Sequence, residues 1–298
     1  MDTHSFQVRR RFLSATAASL GLAALAGAGA GFAQPVPAAK KTPATSGNAS
    51  TTTGTWRLVV NEAVTGETNT FVLTSRYRSL TEFLDSQLKS VSVTVEPIVD
   101  IKRFMTVAQA ASKPELVFGK SVNQLAKLVR DNGYQPIVKR ADPYKAAFIV
   151  AKESPFKNLA DAASAKIIMP DLLAATTAVA LAEMRQQKIP TGRVTHVKFQ
   201  EEVAQMVKLG LGQVGVVNPT IAKKWVEDGG RVLAETQPVV NWSLLASPAV
   251  SAEQVQLMRE ALLGSSPEAA AVLTSIGVKS WAKAEPADYI NLLTYTRE

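Results

Sequence analysis

Few side chains in this sequence are capable of covalent or metal chemistry, and that scarcity is the first guide to its work. The chain has no cysteine, which removes disulfides, iron–sulfur clusters, a lipid-modified N-terminal cysteine and thiol nucleophiles together. Its two histidines are His4 and His196, too few for a histidine-rich zinc, copper or haem site. His196 alternates with apolar residues in Val194-Thr195-His196-Val197-Lys198-Phe199, a pattern that predicts a solvent-facing strand position and not the base of a Ser-His-Asp triad. No phosphate-loop or dinucleotide fingerprint is present. The expectation is therefore of no catalytic residue, no metal site and no cofactor.

What the chain does offer is hydroxyl and amide groups near the starts of predicted helices, where free backbone N–H groups and the helix dipole favour an anion. Ser121 follows Phe118-Gly119-Lys120, Thr176 and Thr177 follow Pro170-Asp171, and Asn218-Pro219 makes a turn after an apolar run. Residues 61–75 are rich in Thr, Gly, Asn and Ser, with Tyr77 close behind. Each has a plainer role beside the chemical one: the hydroxyls as helix caps, Tyr77 and Trp242 as packing.

The elements that must position these groups alternate along the chain. Residues 57–60 and 91–99 read as strands around an amphipathic helix over 77–89, in which Leu80, Phe83, Leu84 and Leu88 share a face. A helix over 101–111, a short buried strand over 115–119 and a helix over 122–130 follow. After the Asp142-Pro143 break the series resumes, with strands at 146–152, 166–169, 195–199, 214–217 and 231–234 and helices between them. A strand-like run over 242–246 precedes three C-terminal helices. Alternation of this kind predicts α/β architecture, each lobe a mixed, mainly parallel sheet flanked by helices. The expected boundaries are 56–141 plus 247–298 for the first lobe and 142–246 for the second, with a ligand cleft at the hinge.

Ahead of this body, Arg9-Arg10-Arg11 precedes Phe12-Leu13 and a weakly apolar stretch that ends with small residues at Gly31 and Ala33. That order predicts a twin-arginine export signal over 1–33, cleaved near Ala33, and hence a periplasmic protein handled by the Tat export machinery. The stretch is mostly Ala, Gly and Ser, too weakly apolar for a membrane anchor. Residues 34–55 shift to Pro, Ala, Lys, Ser and Thr with no apolar period, the composition of a disordered spacer. The net charge of +8 falls to +6, a mild excess, once residues 1–33 with their three arginines and Asp2 are set aside, and no Lys/Arg run interleaved with aromatics follows Lys41. No nucleic-acid partner is expected, whereas a small anionic ligand fits the sign.

The ordered series over residues 56–298 resembles the periplasmic solute-binding proteins of ABC importers, in the phosphate/phosphite/phosphonate-binding branch of the type 2 periplasmic binding proteins. It is carried by Tyr77-Arg78-Ser79-Leu80-Thr81-Glu82-Phe83-Leu84, by Pro114-Glu115-Leu116-Val117-Phe118-Gly119, and by the run from Tyr144 to Asp161 with its Lys152-Glu153-Ser154-Pro155-Phe156 break and Asn158-Leu159-Ala160-Asp161 helix opening. Ser275-Ile276-Gly277-Val278 and Asp288-Tyr289 complete it. The resemblance implies a non-enzymatic receptor that holds a small solute, of phosphonate or phosphite type, between two lobes and delivers it to an ABC permease in the inner membrane. The ligand-binding residues it implies are Tyr77, Ser121, Thr176, Thr177 and Asn218. Where the family has a Ser-Thr-Ser-Gly-like run, this chain has Ala174-Ala175-Thr176-Thr177-Ala178, and the family's His-Asp pair is Gln200-Glu201. A Glu201 or Glu202 carboxylate facing the cleft would repel an anion and favour an amine-bearing or neutral ligand. Two other functions compete: a receptor-fold protein without transport, acting as a sensory or assembly partner, and a periplasmic enzyme.

Overall fold

A computed structural model describes residues 54–63, 66 and 69–298 of the chain. The export signal over 1–33 and the spacer up to residue 53 lie outside the described residues. Strand β1 (Gly54–Asn61) opens the fold, followed by α1 (Thr70–Leu88), β2 (Val91–Pro97), α2 (Ile101–Ala108), β3 (Leu116–Gly119), α3 (Val122–Asn132) and β4 (Gln135–Arg140). Side chains start these helices where the sequence supplies them. Asn69 accepts from the Phe71 N–H at 3.0 Å, and Asp100 from the Arg103 N–H at 2.7 Å. Helix α3 stops at Gly133, whose φ of 73° is the left-handed conformation that costs glycine no steric penalty.

The chain then crosses to a second sheet. Strands β5 (Ala147–Val150), β6 (Ile167–Met169), β7 (Val194–His196), β8 (Val214–Val217) and β9 (Arg231–Glu235) enclose α4 (Ala175–Gln186), α5 (Gln200–Lys208) and α6 (Pro219–Glu227). It returns through residues 236–242 into β10 (Ser243–Ala246), α7 (Ala252–Leu263), α8 (Pro267–Ile276), β11 (Trp281–Lys283) and α9 (Pro286–Thr296).

The first sheet has the order β11-β4-β10-β3-β1-β2 and the second β7-β6-β8-β5-β9. Both are mixed, as expected. β1 runs parallel to β2 and β3, and β6 parallel to β7 and β8, because each of those links is a helix crossover. The antiparallel neighbours are β10 against β3 and β4, β11 against β4, and β5 against β8 and β9. They include strands that meet only because the chain crosses between sheets, so simple alternation overstates the parallel share. One buried apolar cluster runs through both sheets, from Val59 and Val117 through Tyr144 and Val240 in the crossings to Phe148 and Ile167, with Tyr289 and Leu292 of α9 added.

Two sequence boundaries need correction. Gly54 and Thr55, assigned to the spacer by composition, already pair with Val91 and Ser92. The strand Ser243–Ala246, assigned to the second lobe, lies between β3 and β4 of the first sheet. A four-residue apolar strand carries no local sign of which sheet it will join, since partner choice is a long-range packing outcome. The described part of α1 also starts earlier than periodicity indicated, shortening the loop after β1.

Helix α5 lies close on β8 because Gly215 has no side chain. A Cβ there would lie 2.8 Å from Val207 Cγ2 and 2.9 Å from Val203 Cγ1. Gly215→Ala is therefore expected to cost about 1–3 kcal/mol of stability through overpacking. Urea unfolding with an unchanged slope should report it.

Candidate functional site

The two crossings between the sheets pair with each other. Tyr144 and Val239 exchange backbone N–H···O bonds of 2.9 Å in both directions. The Ala146 N–H donates to Thr236 Oγ1 at 3.0 Å, the Thr236 N–H returns to the Ala146 carbonyl at 2.9 Å, and Asn241 Nδ2 donates to the Asp142 carbonyl at 2.9 Å. This ribbon is the back wall of a cavity of about 640 Å³ between the sheets. Arg140, Asp142, Tyr144, Asn241 and Trp242 come from the ribbon, and Glu62, Ala63, Gly66, Arg76 and Lys120 from the ends of β1 and β3 and the start of α1. The opposite wall is built from the first residues of α4, α5 and α6. Another cavity, of about 370 Å³, lies against the ribbon and α9. It meets one helix start, the first turn of α9 at the acidic Asp288, whereas the larger one gathers three and is the better candidate on that ground.

The three helix starts differ in how they are satisfied. Asn218 caps α6, its Oδ1 accepting from the Ile221 N–H at 2.9 Å, and Glu202 folds back over α5 to accept from the Lys198 and Phe199 N–H groups, each at 3.1 Å. Helix α4 begins after Ala174, which has no side chain to offer, so its first-turn N–H groups face the cavity uncapped. Thr176 Oγ1 lies 2.6 Å from the Tyr144 hydroxyl, and the Gln200 Oε1 accepts from the Asn218 N–H at 2.6 Å. Burial holds the Tyr144 phenol well above its ordinary pKa, so it stays protonated.

On the β1–β3 side, an ionic cluster converges on one carboxylate. Glu62, only 4% exposed, accepts from Arg76 Nη1 at 2.5 Å and Lys120 Nζ at 2.9 Å through Oε2, and from the Tyr77 hydroxyl at 2.8 Å through Oε1. Lys120 Nζ also lies 4.0 Å from the centroid of the Trp242 ring, and the Arg140 guanidinium 4.9 Å from it. Arg140 pairs in turn with Asp142 at 2.5 Å. Burial acts to raise the Glu62 pKa, but the Lys120 charge and the hydrogen bonds from Lys120, Arg76 and Tyr77 outweigh it and hold the carboxyl below its ordinary value. Burial lowers Lys120 by more than Glu62 restores. Three donors on one carboxylate hold it in its ionised form. The Tyr77 phenol is raised far up, by burial first and the Glu62 charge second.

Of the residues anticipated from sequence, Thr176 and Asn218 line the cavity. The other three stand behind its wall. Tyr77 is fully buried with its hydroxyl on Glu62, Thr177 donates to the Pro170 carbonyl at 3.1 Å, and Ser121 is 1% exposed with its hydroxyl turned away from any helix-capping bond. Glu201 reaches the cavity whereas Glu202 is spent on capping α5. His196 is exposed, its Nδ1 2.8 Å from the Pro170 carbonyl, as the alternation predicted. Sequence reasoning missed Glu62, Arg76, Lys120 and Arg140 as a group. The one available signal was that Glu62 and Lys120 each end an apolar strand.

Two mixed sheets with flanking helices, joined by a paired double crossing and enclosing a cavity at the hinge, define a two-lobed binding protein of the type 2 periplasmic class. The chain belongs to the family described as "ABC transporter, phosphonate, periplasmic substrate-binding protein", whose model matches residues 64–289. No curated protein matches it significantly in sequence. Among solved structures, PhnD1 from Prochlorococcus marinus in complex with methylphosphonate is similar at a TM-score of 0.66 and 14% identity, covering 82% of this chain and 97% of that one. A binding protein component of a phosphonate ABC transporter from Pseudomonas aeruginosa gives 0.63 and 12%, covering 82% and 87%. A protein from Xanthomonas citri bound to chloride ion gives 0.66 and 14%, covering 81% and 96%. The role that follows from the family is solute binding, and the family is one of periplasmic substrate-binding proteins and not of enzymes.

Because its folded pKa is depressed, Glu62 adds stability above its unfolded pKa of about 4.3 that is lost as pH falls through the folded value. Glu62→Ala strands Lys120 in the wall and is expected to cost about 2–4 kcal/mol at pH 7. Urea unfolding at neutral and at acid pH should show that loss, together with a flatter acid limb than wild type.

Proposed function

We propose that the cavity captures a small solute with an oxyanion head, of phosphonate or phosphite type, and that the protein delivers it to an ABC permease in the inner membrane. The single observation that carries this is the uncapped start of α4 opening into the cavity with Thr176, where unpaired N–H groups and the positive helix end meet Arg140 across the gap. The surviving pair of hydroxyls does not restore the family's Ser-Thr-Ser-Gly-like run, but backbone N–H groups need no particular side chain to bind oxygen. In this reading the protein works in the periplasm, exported through the twin-arginine route with its signal cleaved near Ala33. It performs no chemical step, and closure of the two lobes on the solute is its whole activity.

Glu201 supports a finer reading. Its carboxylate stands in the cavity wall and lies near Gly66 on the far side of the cleft, with Cδ 3.7 Å from where a Gly66 Cβ would be. A solute with an amine opposite its oxyanion would satisfy both walls.

Calorimetry and thermal shift with methylphosphonate, aminoethylphosphonate, phosphate and methanesulfonate test the proposal. A true ligand at a hundred times its Kd should stabilise the fold by about 2.7 kcal/mol. Thr176→Val is expected to weaken binding about tenfold by removing one hydroxyl contact. Absence of any shift with all four compounds would sink the oxyanion reading. For the amine, Glu201→Gln should weaken aminoethylphosphonate and spare methylphosphonate.

A further inference from the structure

We infer that Glu62 is a resident anion, filling the strongest cationic subsite of the cavity and thereby selecting solutes by charge. This rests on the oxyanion reading above. Arg76 Nη1, Lys120 Nζ and the Tyr77 hydroxyl deliver three donors to the two oxygens of one carboxylate at 2.5–2.9 Å. Two cations and a hydroxyl so arranged form an oxyanion site in their own right, and the protein's own side chain occupies it.

The consequence is electrostatic. Among the described lining residues, the cations Arg76, Lys120 and Arg140 are matched by the carboxylates of Glu62, Asp142 and Glu201. The wall therefore offers an anion no formal surplus of charge, and what remains is the partial positive end of α4, worth about half a charge. A monoanion or a zwitterion can be balanced by that end and by Arg140's remaining donors. A dianion faces Glu62 and Glu201 across a low-dielectric cavity, where like charge is costly. The groups facing Glu62 are Arg76 and Tyr77 of α1, Lys120 beyond β3, and Trp242 with Arg140 in the crossings. No histidine is among the described lining residues.

The test is calorimetric titration of the mature secreted protein with methanesulfonate, a monoanion throughout, and phosphate, which loses its second proton in the neutral range. Wild type is expected to lose affinity for phosphate about tenfold between mildly acidic and mildly alkaline buffer while methanesulfonate stays level. Glu62→Gln, confirmed folded by circular dichroism, should abolish that slope and improve phosphate relative to methanesulfonate by about tenfold or more. An unchanged ratio in the variant, or wild-type affinity for phosphate that rises with pH, overturns the inference and leaves the oxyanion reading intact. If Glu62→Gln does not fold, the wild-type pH profile decides. If wild type binds neither anion, the oxyanion reading falls; the resident anion then stands only if Glu62→Gln gains phosphate, and falls if it gains none or does not fold.

Discussion

The ribbon made by the two crossings, Tyr144 against Val239 and Ala146 against Thr236, is the constraint on which the rest depends. Each sheet with its helices buries its own outer faces, in separate apolar clusters around Leu84 and Leu116 and around Val203 and Val217. Neither half holds a complete site. The ribbon sets Arg140 and Trp242, which end or follow the crossings, opposite the starts of α4 and α6. A handful of backbone hydrogen bonds is also a sparse joint compared with a full sheet, and rotation about such a joint is how two-lobed receptors open and close.

Within the cavity, charge is arranged around the Trp242 ring. Lys120 and Arg140 both approach it, and each also has a carboxylate, Glu62 and Asp142 respectively. Holding cations against an aromatic face and an anion at once fixes long flexible side chains in place, so their conformational entropy is already spent before a solute arrives. Helix α4 contributes in the opposite way: it is left unsatisfied at its start, since Ala174 cannot cap it. One wall is thus electrostatically complete and the other is not, and the incomplete wall determines where an oxyanion gains most.

Much of this was legible in the sequence. The strand and helix series was readable because apolar spacing is a local property, and the α/β class followed from it. Thr176 and Asn218 were placed in the cleft because helix starts after strand ends are where α/β folds present backbone N–H groups. What escaped was everything decided by long-range pairing. Ser243–Ala246 could not be assigned to its sheet from four apolar residues, and β11 gave no periodic sign at all. The Glu62 cluster joins positions 14 and 58 residues apart, and a lone Glu at a strand end reads as an ordinary polar stop. Thr177 points away from the cavity while Thr176 lines it, because successive residues on a helix diverge by about 100°.

Asn123 Nδ2 and Gln124 Nε2, at the start of α3, donate to the Leu173 carbonyl ahead of α4 at 3.2 and 3.0 Å. Tyr295 and Arg185 tie α9 to α4 at Glu183 and the Thr296 carbonyl. These contacts join the two lobes apart from the paired crossings and outside the lining of the cavity. Any rotation that parts α9 from α4, or α3 from Leu173, has to break these bonds, so they add to its barrier whether or not a solute is bound.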